Sequence, residues 1–402
     1  MNFELSEEHR RIENGVLDFI KKEVLPNKKK IKEANQFPHD FLKKMGQAGF
    51  FGCTFPEKYG GTETGFMSQM IVAEEISRAF VIISSAFNMQ CMTVPFTILN
   101  WGNDDQRERY VQDTITCEKI GYFGLTEPNA ASDASAMETT ALKEGNHYRL
   151  NGSKVWITFA PVSDYGLIFA KTDTKNQYGG ASCFIVDTKT KGITIRTMSS
   201  RFLSEISPQG EIHLDDVIVP KENLLGNEGD GFMILSSALN YGRLCVAARS
   251  VGIARACLDF SLKYCNEREQ FGRKIGKFQM IQQQLADLVV EVEAASLLVL
   301  KNAWLKDKGE IAFRESGHSK YYAAEIASRA GFAAFQIHGA YSFSDEFEVG
   351  EYFLYGLGSV VAEGSSNIQR VIIAEDALGW KDAERYARFD NRYPMDFTNF
   401  TT

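Results

Sequence analysis

The stretch Leu244-Cys-Val-Ala-Ala-Arg-Ser-Val-Gly-Ile-Ala-Arg-Ala-Cys-Leu-Asp-Phe-Ser-Leu262 decides the fold class. Within it Leu244, Ala247, Ala248, Val251, Leu258 and Leu262 recur at helical spacing, which gives one long helix an apolar face. Ile281, Leu285, Leu288, Val292, Ala295 and Val299 repeat the pattern in a second segment. A third helix is expected from about Ser316 to His338, and a fourth from near Ser366. Eight of the nine prolines lie in residues 1–220, and none lies between 221 and 393. An interior proline removes a helical hydrogen bond and clashes with the preceding turn, so a proline-free tract agrees with long helices. Four helices with short connections predict a four-helix bundle over residues 226–385, followed by a tail at 386–402.

Working toward the N-terminus, the pattern changes. Residues 119–225 carry short alternating runs: Tyr148–Leu150, Lys154–Thr158, Tyr165–Lys171, Ala181–Asp187, Ile193–Thr197 and Glu211–Val219. Asn151-Gly152 between the first two is a two-residue hairpin signal. Short antiparallel strands at this spacing predict a small β-barrel or sandwich. Residues 1–118 read as helical again, with breaks at Pro26, Pro38 and the turn Pro56–Gly61. The predicted class is α+β, mostly α: an N-terminal helical domain (1–118), a middle β domain (119–225) and the C-terminal bundle.

Composition narrows the function classes. At 44% hydrophobic and 24% charged residues, the 402-residue chain is neither disordered nor fibrous. A net charge of −8 gives no basic footprint for nucleic acid, and Lys28, Lys29, Lys30 and Lys32 read as a solvated helix face. The seven cysteines are odd in number and scattered without Cys-x-x-Cys, which suits a reduced, cytoplasmic protein rather than a disulfide or zinc framework. Ala79–Asn103 has no charge over 25 residues, but Ser84, Ser85, Asn88, Gln90 and Thr93 would need partners in a bilayer. It reads as a buried helix followed by a turn at Pro95, with no membrane insertion.

The chain lacks a Gly-x-Gly-x-x-Gly dinucleotide fingerprint, a P-loop, His-Glu-x-x-His and Gly-x-Ser-x-Gly, and its six histidines are dispersed, so no metal site is expected. Four constellations remain. In Phe123-Gly-Leu-Thr-Glu-Pro-Asn-Ala-Ala-Ser-Asp133 a strand runs into a turn that presents N–H groups and the hydroxyls of Thr126 and Ser132. In Lys154-Val-Trp-Ile-Thr158, Trp156 and Thr158 share a strand face, which suits a flat heteroaromatic ring with polar edges. In Arg268-Glu-Gln-Phe-Gly272 with Phe278-Gln279, Arg268 matches a phosphate. In Val360-Val-Ala-Glu-Gly-Ser-Ser-Asn367 a carboxylate, Glu363, follows apolar residues, and Ser366 is placed to cap the next helix. Taken alone, each also reads as ordinary structure: a strand exit, a core tryptophan, a linker arginine paired with Glu267 or Glu269, and a surface glutamate before a helix.

Taken together, these pieces resemble the acyl-CoA dehydrogenase family of FAD flavoproteins from about residue 3 to residue 380. The resemblance also rests on Phe37-Pro38, Pro56-Glu-Lys-Tyr-Gly-Gly61, Asn223-Leu-Leu-Gly226, Gly229-Asp-Gly-Phe232 and Glu363-Gly-Ser-Ser366 leading to Arg370. It implies FAD as cofactor, with Phe123, Leu125, Thr126, Ser132, Trp156, Ile157 and Thr158 at the flavin. Arg268, Gln270, Phe271, Phe278 and Gln279 would hold its pyrophosphate and adenosine across a subunit interface, and Gln336, Gly339, Ser365 and Asn367 match further contacts. Glu363 matches the catalytic base, and Arg243, Asn240 and Gly364 match the substrate site. The implied reaction is α,β-dehydrogenation of an acyl thioester, in a dimer or homotetramer, with an electron-transferring flavoprotein or O2 as acceptor. A flavin oxidase or monooxygenase on a non-thioester substrate, and a non-catalytic assembly subunit, are the alternative readings.

The departures from the family concern the substrate more than the reaction. Ala131 and Ala340 stand where the family usually has glycine, and Phe202-Leu-Ser-Glu205 and Glu375 stand where basic residues are usual. Acidic residues near the pocket mouth would repel the phosphates of CoA. That puts a phosphopantetheinyl acyl or aminoacyl carrier protein beside acyl-CoA as the expected substrate.

Overall fold

The computed structural model describes residues 4–176, 180–199 and 204–379. The tail at 386–402 and Phe202-Leu203 lie outside the described residues. The chain packs as two compact units: one gathers the chain up to Lys30, Phe66–Ser84 and Arg243–Leu378, and the other gathers Ile31–Gly65 and Ser85–Gly242.

The N-terminal region is helical. Ser6 caps α1 (Glu7–Phe19), which passes through a π-helical turn, Ile20–Val24, into α2 (Leu25–Ala34). The break expected at Pro26 does not occur. The widened π turn immediately before it accommodates the missing amide donor, and the helix continues. Pro38 does start a new helix, α3 (His39–Gln47), and Pro56 precedes a short 3₁₀ turn, Glu57–Tyr59. After α4 (Gly65–Ala79), the uncharged stretch forms 3₁₀ and π turns and then α5 (Pro95–Trp101). Pro95 therefore opens a helix instead of making a turn, at a position whose amide lacks an intrahelical partner anyway. Val81–Trp101 is long and apolar enough to cross a bilayer, and it is buried inside the protein. A capping box at Asn103 and Gln106 opens α6 (Asp104–Ile115).

One surface expectation fails. Lys28 is not solvated: its Nζ donates to the Ala79 carbonyl at 2.6 Å and pairs with Glu348 at 2.6 Å, beneath the Phe80 and Tyr352 rings. Lys29 and Lys30 are exposed.

The middle region forms one mixed sheet of eight strands: β1 (Gly121–Gly124), β2 (Thr140–Glu144), β3 (His147–Thr158), β4 (Tyr165–Lys171), β5 (Ala181–Asp187), β6 (Ile193–Thr197), β7 (Gln209–Pro220) and β8 (Leu224–Leu225). Their order is β6-β7-β3-β2-β4-β5-β8, with β1 parallel to β4. Tyr122, Tyr148, Leu150, Phe184, Ile212 and Leu214 fill its core. Asn151-Gly152 is not a hairpin turn. It is a bulge inside β3, where Asn151 accepts from the Asp216 amide at 2.9 Å. A Cβ on Gly152 would lie 2.4 Å from Thr139 Oγ1, so glycine serves close approach here, not chain reversal. The hairpin turn lies earlier, at Gly145 (φ +60°) between β2 and β3.

The C-terminal region consists of α7 (Gly231–Glu267), the small hairpin β9 (Glu269–Gln270) and β10 (Arg273–Lys274), then α8 (Gln279–Asp307), α9 (Phe313–His338), α10 (Val349–Val361) and α11 (Ser366–Ala377). The periodic residues of α7 are buried from Leu244 to Val251, whereas Leu262 emerges to 38% exposure. Helix α10 was not anticipated, because its glycines blur the apolar period. Gly356 has a packing reason: a Cβ there would lie 2.7 Å from the Ala327 carbonyl of α9.

Candidate active site

Three groups of residues emerge, one in the β sheet and two among the C-terminal helices. In the first, β1 exits into Leu125 and Thr126, and the Val155 amide donates to the Thr126 carbonyl at 2.9 Å, tying this loop to β3. Beneath it lies a sealed ion pair. Lys154 Nζ donates to Glu127 Oε1 at 2.7 Å and to the Leu125 carbonyl at 3.1 Å, with both side chains buried. Glu127 also accepts from the amides of Glu138 and Thr139. Burial opposes its ionisation, but the Lys154 charge and these donors prevail and hold the carboxyl below its usual range.

Directly above this pair, β3 bulges against β7 between Lys154 and Ile157. Trp156 sits at the bulge with φ +58° and is 59% exposed. Thr158, two residues on, donates to Gln209 Oε1 at 3.0 Å. Ile157 points into the core, so only its backbone is available to a ligand. Phe123 packs on Phe169 at 4.9 Å. The sheet thus gathers Phe123, Leu125, Thr126, Trp156 and Thr158, while Ser132 is exposed farther along the loop.

The second group surrounds the β9–β10 hairpin. Its tip residue, Phe271, has φ +53°, is 93% exposed and meets Phe278 edge-on at 5.9 Å. Arg268 lies 5.6 Å over the Tyr341 ring, in the 3₁₀ turn that starts at Gly339 (φ +60°). This contact brings the hairpin to the end of α9. Gln270, Gln279 and Gln336 are exposed.

The third group is the turn between α10 and α11. Glu363 and Gly364 both have positive φ, +51° and +88°. For a glutamate this conformation costs on the order of 1–3 kcal/mol, which surrounding contacts must offset. Arg243 of α7 donates through Nε to the Glu363 carbonyl at 3.4 Å. Lys320 of α9 donates to the Gly364 carbonyl at 2.8 Å and the Val360 carbonyl at 3.3 Å. Gln369 of α11 donates to the same Gly364 carbonyl at 3.2 Å. The Glu363 side chain is half-buried, with Oε2 enclosed.

The helix cap belongs to Ser365, not Ser366. Ser365 Oγ accepts from the Ile368 amide at 3.4 Å, and Ser366 is buried as the first helical residue. Asn367 is exposed and accepts from Arg370 at 2.9 Å, and Asn240 is fully buried on α7. Glu375 is half-buried on α11, and Glu205 is exposed.

Sequence reasoning missed Lys320 and Gln369. A signal for Lys320 was present: it falls on the stripe of small residues, including Ala323, Ala324, Ala327 and Ala330, that α9 buries. Burial, reinforced by the charge of Arg243, pushes the Lys320 ammonium down to about 7, against the opposing pull of Glu363 and Glu325. Among the described residues, no group of three or more His, Cys, Asp or Glu side chains is placed to hold a metal ion.

The profiles of the acyl-CoA dehydrogenase N-terminal, middle and C-terminal domains match residues 6–118, 122–217 and 229–378 in succession. The chain belongs to the acyl-CoA dehydrogenase family. It is 41% identical over 390 residues to glutaryl-CoA dehydrogenase of Desulfococcus multivorans, covering 96% of this chain and 100% of that one. A solved glutaryl-coenzyme A dehydrogenase in complex with glutaryl-CoA superposes with a TM-score of 0.91 at 41% identity, over 94% of this chain and 97% of that chain. The FAD complex of PigA superposes with a TM-score of 0.90 at 26% identity, over 95% of this chain and 100% of that chain. As a member of this family, the protein is an FAD-dependent oxidoreductase acting on CH–CH donors. Its own residues fit the cofactor: an exposed indole on a strained bulge, in a strand tied by the Val155 amide to the loop that carries Thr126, is a surface for a flat heteroaromatic ring.

Proposed function

We propose that this protein oxidises the Cα–Cβ bond of an acyl thioester, with Glu363 as the base that takes the α-proton. The observation that carries the reading is the Glu363 turn. A carboxylate stands in a strained backbone conformation and is held by side chains from α7, α9 and α11. Strain over-determined in this way marks a functional position. The α-proton of a thioester is weakly acidic, so the base must be fixed against it, and a fixed carboxylate gains from proximity. FAD, when bound, supplies the acceptor for the β-hydrogen and its electron pair. On this reading Trp156, Thr158, Thr126, Phe123 and Leu125 hold the flavin ring, and Arg268, Gln270, Phe271, Phe278 and Gln279 hold its phosphates and adenosine. Gln336, Gly339, Ser365 and Asn367 add contacts, and Arg243, Asn240 and Gly364 shape the substrate end.

The near-complete exposure of Phe271 supports a hairpin that reaches a second copy, hence a homo-oligomer. The buried thiols of all seven cysteines suit a cytoplasmic setting. An electron-transferring flavoprotein or O2 reoxidises the cofactor.

Acyl-CoA is the favoured thioester, because the 41%-identical relative is a glutaryl-CoA dehydrogenase. A carrier-protein thioester is the second reading, favoured by the acidic Glu205 and Glu375. Anaerobic flavin bleaching against matched acyl-CoA and acyl-carrier-protein panels tests both. Bleaching by at least one thioester is expected, and failure of every thioester to bleach bound flavin would overturn the assignment.

A further inference from the structure

We propose that Lys320 is a positioning residue for the base: it clamps the Glu363–Gly364 turn through two peptide carbonyls, and its charge favours the ionised Glu363 carboxylate. The inference rests on Glu363 being the base. Lys320 has no exposed surface, yet its Nζ reaches the Val360 carbonyl, in the last turn of α10, and the Gly364 carbonyl beyond it. A cation is favoured at a helix C-terminus, where unpaired carbonyls concentrate negative charge. A neutral donor would satisfy the same two oxygens without the cost of burying an ammonium, so a charged side chain here calls for a reason beyond support.

That reason is the neighbouring carboxylate. The charged groups that bear on Lys320 are Arg243 from α7, Glu363 from the turn and Glu325 from its own helix. From α10 it meets the Val360 carbonyl, and from α11 the neutral Gln369 shares its acceptor. Burial and Arg243 both oppose the ammonium, and Glu363 and Glu325 favour it. By reciprocity, the ammonium favours the Glu363 anion, the form that can accept a proton, alongside the buried guanidinium of Arg249 on α7, whose charge also acts on Glu363.

The experiment compares Lys320→Gln, which keeps a donor and loses the charge, with Lys320→Arg, which keeps the charge. The flavin-loaded enzyme is bleached anaerobically, with the acyl thioester that bleaches the wild-type protein fastest, between pH 5.5 and 9, alongside flavin content and thermal midpoint. Loss of a nearby opposite charge raises a carboxyl by about one unit or more. The acid limb of the rate profile should therefore move up by about one pH unit in Lys320→Gln, and Lys320→Arg should restore it. A Gln variant with normal flavin and an unshifted limb overturns the proposal. So does a Gln variant that loses flavin and thermal stability while Lys320→Arg restores both with a limb still displaced, because that pattern is purely structural. The base assignment fails separately, through Glu363→Gln retaining activity.

Discussion

Two buried lysines serve two regions of the molecule in different ways. Lys154, in the β sheet, is neutralised at 2.7 Å by Glu127, and the pair anchors the loop that carries Leu125 and Thr126. Lys320, among the C-terminal helices, is held by peptide carbonyls and leaves its field acting on Glu363. The first arrangement suits a loop that has only to stay in place. The second suits Glu363 in its proposed role as the base, which would change its protonation state. A charge cancelled locally is rigid support, whereas a charge solvated by dipoles acts at a distance.

The largest effect should come from removing the group on which the second lysine acts. Glu363→Gln is near-isosteric but cannot accept a proton, so thioester-driven bleaching should fall by more than the factor of about 10²–10⁴ typical of general acid–base groups, with flavin content unchanged. Retention of a tenth of the wild-type rate would place the base elsewhere and dissolve the contrast between the two lysines.

Breaking the first arrangement should cost structure before chemistry. Lys154→Met strands the Glu127 carboxylate in the core, and such a rupture typically costs about 3–5 kcal/mol. Denaturant unfolding should show that loss together with weakened flavin retention. A midpoint within about 0.5 kcal/mol of wild type would mean that the pair is not the anchor of the loop.

The two regions should also differ in their pH dependence at the acid end, although burial depresses both lysines, Lys154 to about 8 and Lys320 to about 7. Glu127 has a depressed carboxyl in the fold, so its contribution is complete above the unfolded value near 4.5 and is lost as pH falls through the lower folded value. Lys320 is depressed to about 7 from 10.5, so between those values the unfolded chain binds the extra proton and stability rises with pH. Denaturant midpoints across pH should show the upper rise in the wild-type protein and a flatter course in Lys320→Gln. Identical slopes would contradict the burial of a titrating ammonium.

A smaller effect concerns the substrate handle. At an effective dielectric near 20, two like charges ~8 Å apart cost about 2 kcal/mol before screening, or roughly thirtyfold. Because Glu375 is half-buried rather than projecting, Glu375→Arg should raise kcat/KM for a CoA thioester by less than that, measured against the same acyl group on a carrier protein. No change would remove this residue from substrate selection. The smallest effect is Ser365→Ala, which deletes the cap of α11 and should cost about 1 kcal/mol in thermal unfolding, with flavin retained.

Much of this architecture was legible in the sequence because periodic burial is written locally. The strands Tyr165–Lys171, Ala181–Asp187 and Ile193–Thr197 have the bounds read from the sequence, although the first two are buried on both faces instead of alternating. The misreadings share one cause: a residue was assigned its commonest local role where a distant partner gave it another. Gly152 is small because Thr139 is close, and Lys28 is drawn inward because Glu348 pairs with it from 320 positions away; Pro26 is the exception, tolerated for a local reason, the π turn that precedes it. In the candidate site, Glu363, Arg243 and Trp156 belong to recognisable motifs. Gln369 lies in the run after Glu363 without a polar pattern to single it out, and Lys320 is marked only by its place on the small-residue stripe of α9, which shows burial but not its partners.

The sequence by itself determined the helix–sheet–helix order, the proline-free bundle and the family motif around Glu363, because these depend on neighbours a few residues apart. Only the tertiary structure decided which charges are buried and what holds them. Desolvation depends on every element packed around a side chain. Arg243, Lys320 and Gln369 are 120, 44 and 5 positions from the carbonyls they hold, and no single local pattern encodes that meeting.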